Sequence, residues 1–206
     1  MPQWIVDRFV SAYGEKKAEE IFKAFHSKST ISIRTNLTRC TPDELRVMLE
    51  AEGVTVTAVD ELNYAFVISG FDYLNGLQSF RDGLFYVQDI SSMLVAQTAA
   101  PKKGDYVIDV CAAPGGKSTH IAELLQGSGH VLARDLTDNK VDMIEENIER
   151  HGLNNMSAEV WDATVFDADS AGKADILICD LPCSGLGVLG RKKDIRYKMT
   201  PESVDE

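Results

Sequence analysis

Two short loops carry the residues of this chain best equipped for chemistry. Asp180-Leu181-Pro182-Cys183-Ser184-Gly185 sets a thiol three residues after a carboxylate and directly after a proline. Such a thiol is a nucleophile where a helix end or a nearby cation favours its thiolate. Addition of a thiol to carbon 6 of a pyrimidine makes carbon 5 nucleophilic, and a neighbouring carboxyl group can hold the ring's N3 and amino edge. Free cysteine is also among the most buried residue types, so an inert core thiol competes with that reading. The second loop is Asp109-Val110-Cys111-Ala112-Ala113-Pro114-Gly115-Gly116-Lys117-Ser118. Its glycines let the backbone approach a ligand, and it opens a helix whose first N–H groups and positive dipole end attract anions. Asp135 and Asp162 close further apolar runs, where a carboxylate can accept both hydroxyls of a ribose or face the amino edge of an adenine. A lone strand-end aspartate is ordinarily a helix cap. The ordered set Asp109, Asp135, Asp162 and Asp180 points instead to a cofactor that carries a nucleoside.

Two glycine-rich matches fail on context. Gly116-Lys117-Ser118 ends like a phosphate-binding P-loop, but that pattern needs glycine at 111, where the chain has Cys111. Gly185-Leu186-Gly187-Val188-Leu189-Gly190 fits a dinucleotide fingerprint in form only. Arg191-Lys192-Lys193-Asp194 follows it without an amphipathic helix to carry such a fingerprint.

Short apolar runs separated by helical patterns must position these loops. The runs are Tyr106–Val110, His130–Asp135, Ala158–Asp162 and Ala174–Asp180, with helices expected at about 117–126 and 138–151. The stretch 163–173 is too polar to assign. Strands alternating with helices predict a parallel sheet with helices on both faces, its ligands at the carboxyl ends of the strands. Upstream, strands at Ile31–Asn36, Val54–Val59, Ala65–Ser69 and Gly83–Gln88 surround a helix that starts at Thr41-Pro42-Asp43-Glu44, a cap followed by proline. That is a small α+β module. Residues 3–25 read as two amphipathic helices broken at Tyr13-Gly14, and Ile90–Ala100 as a helix ended by Pro101–Gly104. The expected organisation is a helical lead-in at 1–28, an α+β module at 29–89 and a larger α/β domain at 90–206.

Composition bounds the rest. Among 206 residues, 44% are hydrophobic and 26% charged, which excludes disordered and fibrous classes. Cys40, Cys111, Cys179 and Cys183 form neither a disulfide framework nor a zinc pattern, so no metal is expected and a reducing compartment is. Neither a signal peptide nor a run of about 20 apolar residues is present. A cytoplasmic protein with no membrane partner is expected. The formal net charge of −11 argues against nucleic acid as a partner, yet residues 191–198 hold five basic side chains and one acid.

Together, Asp109–Ser118 and Asp180–Val188 resemble the Sun family of RNA (cytosine-5) methyltransferases, which use S-adenosyl-L-methionine. Ile33-Arg34-Thr35-Asn36 is similar to the start of the family's RRM-like amino-terminal module, and Val87-Gln88-Asp89 to the segment before its catalytic domain. The likeness covers essentially all 206 residues. The lead-in from Pro2 to Gly14 is most similar to bacterial members that modify small-subunit (16S) ribosomal RNA, with a transfer-RNA cytosine-5 methyltransferase as the alternative. The resemblance implies an α/β fold, a Rossmann-like methyltransferase sheet preceded by an RRM-like α+β module. It implies that Cys111, Ala112, Ala113, Pro114, Gly115, Gly116 and Lys117 wrap the methionine part of the cofactor. Asp135 would take the ribose, Asp162 the adenine, and Asp180 a place between the methyl group and the cytosine. Cys183 would assist product release. Arg191, Lys192, Lys193 and Arg196 would meet RNA phosphates, and the target base would be unstacked into the pocket. The family's attacking cysteine lies in a Thr-Cys motif on a later strand that these 206 residues do not contain. Cys40, Cys111 and Cys179 do not replace it. A fragment truncated after the fourth strand is therefore expected, without turnover of its own and prone to self-association along that strand. A non-catalytic cofactor- or RNA-binding module is the competing function.

Overall fold

A computed structural model describes residues 1–26 and 30–204. They form two compact units: residues 30–181, and the described residues among 1–29 and 182–206.

In the latter unit, α1 (Gln3–Tyr13) and α2 (Glu15–Ala24) meet at Gly14, whose φ of +76° makes the predicted break. Phe9 packs on Phe22 and Phe25 with ring centres 5.3 and 6.2 Å apart. Gly190 lies against Phe25, so close that a Cβ there would sit 3.0 Å from the ring. The basic segment is a turn followed by a one-turn helix, Ile195–Lys198.

The former unit begins with a four-stranded antiparallel sheet. Its elements are β1 (Ile31–Thr35), α3 (Pro42–Ala51), β2 (Thr55–Val59), β3 (Leu62–Ser69), the short α4 (Gln78–Arg81) and β4 (Phe85–Val87), in strand order β2-β3-β1-β4. Thr41 and Glu44 form a reciprocal capping box at the start of α3. Leu45 and Leu49 of that helix pack on Ile33, Phe66, Ile68 and Phe85. β3 starts three residues before the predicted Ala65, because Asp60-Glu61 make a two-residue hairpin turn that pairs Val59 with Leu62. The sheet's opposite face is covered too: Met93 packs on Leu62, Tyr64 and Ala65.

A second sheet follows, from α5 (Ile90–Ala99), β5 (Tyr106–Asp109), α6 (Gly116–Leu124), β6 (His130–Asp135), α7 (Asp138–His151), β7 (Met156–Val160) and β8 (Ile176–Ile178). All pairings are parallel, in order β7-β6-β5-β8. The chain steps outward from β5 to β6 to β7 and then returns past β5 to β8. Right-handed crossovers in one direction put α6 and α7 on one face of the sheet, and the reversal opens a crevice between β5 and β8.

Helices therefore cover one face among the described residues, not both as expected. Val107, Val131, Ala133, Met156 and Ile178 meet Ala96, Ile121, Ala122 and Ile144 in one core. Their alternate neighbours Ile108, Arg134 and Leu177 line an open cleft of about 410 Å³ on the other face. The β7–β8 crossover supplies turns there, because residues 163–173 lack apolar periodicity.

The two sheets are joined through α6 and α7. His151 O accepts from Arg39 Nε (3.0 Å) and Asn36 Nδ2 (3.3 Å), and Arg150 Nη1 donates to Phe80 O and Phe85 O. Gly83 (φ +65°) passes so near that a Cβ would fall 1.9 Å from Arg150 O. His120 and His151 are buried in this junction. Burial, with Arg34 nearby, pushes His120 down to about 2; burial and Arg150 push His151 down to about 3, against a hydrogen bond to Asn147 O. Both are neutral when folded, whereas the unfolded chain binds protons near the ordinary histidine value. Their stabilisation is therefore complete above about pH 6.5 and is lost as pH falls below it. Urea denaturation of His151→Gln is expected to lose about 1 kcal/mol less than the parent between pH 7 and 5.5; equal losses would contradict this.

Candidate active site

A cleft of about 160 Å³ opens at the reversal point, outside the carboxyl ends of β5 and β8. Asp109, Cys111–Pro114, Gly116, Lys117 and Asp180 line one side, and Tyr86, Gln88, Asp89 and Ser92 the other. The loop after β5 is tightly built. Gly115 takes φ +101°, which only glycine adopts without strain, and the Ala113–Pro114 peptide is cis. The first helical bond of α6 runs from Thr119 N to Gly115 O (2.8 Å), so the N–H groups of Gly116, Lys117 and Ser118 have no intrahelical acceptor. A Cβ on Gly116 would press to 3.1 Å from the Tyr86 ring.

Asp109 anchors this loop from beneath. Its Oδ2 accepts from Ser118 Oγ at 2.6 Å and its Oδ1 from Cys111 N at 3.4 Å. Burial pushes its carboxyl group above the usual range, against the pull of Ser118, Cys111 N and Lys117. Cys111 is raised as well, by burial and by the charges of Asp135 and Asp109, which makes it a poor thiolate. Lys117 Nζ is ion-paired with Asp180 Oδ2, so the two loops meet at the cleft.

The remaining expected site residues are placed differently. Asp135 closes β6 but turns inward, its side chain 4% exposed. Its Oδ2 accepts from Ala113 N (3.0 Å), and its Oδ1 from Leu136 N and Lys140 Nζ (both 2.8 Å). Burial raises its carboxyl group, but Lys140 and the two amides outweigh this and hold it below the usual range. Asp162 lies two residues past β7, exposed, where its carboxylate accepts from Thr164 N and Oγ1. Neither aspartate lines the cleft. β8 ends at Ile178, so Cys179 is exposed beyond the strand, not inside it. Cys183 is also exposed and belongs to the other unit, as do Arg191, Lys192, Lys193 and Arg196. The first three of those cations are exposed, and Arg196 lies 5.9 Å over the Tyr197 ring. Tyr86, Gln88, Asp89 and Ser92 were not among the expected site residues. The signal for them was Val87-Gln88-Asp89, read only as a family likeness.

A family model described as 16S rRNA methyltransferase RsmB/F matches residues 96–206, and a Methyltr_RsmF/B-like ferredoxin-like domain matches residues 1–71. The probable ribosomal RNA small subunit methyltransferase B of Bacillus subtilis is 37% identical over 98% of this chain and 45% of its own length. A tRNA (cytosine(72)-C(5))-methyltransferase of Pyrococcus horikoshii is 44% identical over 56% of this chain and 29% of its own. The chain thus spans less than half of these curated relatives. The crystal structure of PH0851 superposes over 99% of this chain and 46% of its own with a TM-score of 0.94 at 27% identity. NSun6 from Pyrococcus horikoshii, solved with SFG, shares the fold at a TM-score of 0.84 and 21% identity, over 99% of this chain and 76% of its own. With the RsmB/F model matching more than half of its residues, the chain belongs to the 16S rRNA methyltransferase RsmB/F family.

Proposed function

We propose that this chain is the cofactor-binding part of an enzyme that transfers a methyl group from S-adenosyl-L-methionine to carbon 5 of a cytosine in RNA, with 16S ribosomal RNA as substrate. The observation that carries the reading is the glycine-bearing loop Cys111–Lys117 at the reversal point of a parallel sheet, with Asp180 on the rim of its cleft. The first N–H groups of α6 suit a carboxylate, and the absence of a Cβ on Gly116 keeps the space beside Tyr86 open. Asp135 would take ribose hydroxyls once the exposed ammonium of Lys140 swings aside, and Asp162 would hold the adenine edge. The cofactor supplies an electrophilic methyl group on its sulfonium.

Asp180, paired with Lys117, would hold the N3 and amino edge of the cytosine, and Cys183 would assist product release. Arg191, Lys192, Lys193 and Arg196 would meet phosphates. Cys40, in the small module, Cys111, whose thiol is raised, and Cys179, just past β8, would not serve as the nucleophile at carbon 6, and Cys183 keeps its role in product release. The chain alone is therefore proposed to bind cofactor without turnover. Ribosomal RNA is preferred over transfer RNA because the match to the Bacillus subtilis relative extends over 98% of the chain, the transfer-RNA match over 56%.

Isothermal titration with S-adenosyl-L-methionine is expected to show one site, weakened about tenfold or more in Asp135→Ala; a silent titration of the parent chain would refute the cofactor. Deleting the gene is expected to remove a bisulfite-resistant cytosine from 16S ribosomal RNA. An unchanged pattern there, with loss of one from transfer RNA, would move the substrate.

A further inference from the structure

Arg34 is an unusual residue for the middle of a strand, and its contacts go beyond its own module. It is 1% exposed on β1, and its Nη2 pairs with Glu123 Oε1 at 2.7 Å, itself 3% exposed. The other contacts of the guanidinium lead to the cleft. Nη1 donates to Gly116 O at 2.9 Å and to Gln88 Oε1, and Nη2 to Thr119 Oγ1 at 3.2 Å. The Thr119 hydroxyl in turn donates to Gly116 O. Gly116 and Gln88 stand on opposite walls of the cleft. The guanidinium carbon lies 5.4 Å from the centre of the Tyr86 ring, and Tyr86 OH donates to Pro114 O at 3.0 Å.

We propose that Arg34 is a positioning residue for the cofactor: from outside the methyltransferase sheet, it fixes the first turn of α6 against the Gln88 wall so that the amides facing the cleft are held in their binding orientation. The inference rests on the cofactor reading above. Donors that are already oriented cost no ordering when a ligand arrives. Only a planar fork reaches an axial carbonyl, a hydroxyl, an amide oxygen and a carboxylate at once, so lysine cannot stand in for it. The ion pair alone does not explain the residue, since a buried pair can often be replaced by apolar groups at no loss of stability. This also gives Ile33-Arg34-Thr35-Asn36 a physical role. Ile33 packs in the small core, Arg34 holds α6, and Asn36 binds the last carbonyl of α7.

Cofactor affinity and thermal stability, measured on the same samples, separate positioning from simple support. Arg34→Lys and the double variant Arg34→Met/Glu123→Leu are expected to bind S-adenosyl-L-methionine about tenfold more weakly. The double variant should regain the melting temperature that Arg34→Met alone loses. Glu123→Gln leaves the bonds to Gly116 and Thr119 in place, so it should lower the melting temperature yet keep affinity within about twofold. Unchanged affinity in Arg34→Lys or in the refolded double variant would overturn the proposal, as would affinity that tracks melting temperature across all four variants. A parent chain that binds no cofactor would instead overturn the reading on which the proposal rests.

Discussion

Parallel pairing of β5 with neighbours on both sides is the constraint on which the rest of this structure depends. A strand paired on both edges commits its main-chain groups to its neighbours, and the chain leaving β5 still donates to both of them, Val110 N to Ile178 O and Ala112 N to Arg134 O, before it turns. Here it turns through Cys111–Gly116 into α6, and the return to β8 brings Asp180 to the same edge. Lys117 and Asp180 are 63 residues apart in sequence, and topology makes them neighbours. The small buried acid Asp109, at the end of the central strand, then ties the turn to the strand through Ser118 and Cys111.

The ferredoxin-like sheet is subordinate to that edge. A sheet of its kind has one face for its own helices and one left over. In this chain α5 and α6 cover the second face, and residues 32–35 of β1 are buried throughout. That face offers no open platform for a nucleic acid. What it offers instead is a rigid backing, polar where it touches the loop through Arg34 and Tyr86 and apolar where Met93 fills the space.

Much of this was legible from residue types. Tyr106–Asp109, His130–Asp135 and the helix 138–151 follow directly from apolar runs and capping chemistry, and the Thr41–Glu44 box marks the start of α3. The hairpin at Asp60-Glu61 was not legible because its turn lacks the glycine or asparagine that usually announces one. β7 begins at Met156, two residues early, since parallel pairing with β6 and not local hydrophobicity sets its register. The inward turn of Asp135 depends on Ala113 N, 22 residues away, and no local pattern encodes such a contact. Arg34 was hidden for a related reason: a charge inside a strand reads as an exposed position until its distant acceptors are known. Helices on both faces failed as an expectation because the rule requires each crossover to carry one, and residues 161–175 make turns instead.

The helix-free face of the larger sheet, among residues 30–181, has a thermodynamic consequence. Leu177 is 58% and Phe166 81% exposed, so water already hydrates part of the apolar surface that unfolding would otherwise expose. The heat-capacity increment on unfolding scales with newly hydrated apolar area, about 12–15 cal/mol/K per residue for ordinary globular domains. This chain should fall below that range. Its stability curve would then be broad and shallow, so that the folded state loses stability only gradually on either side of its optimum temperature.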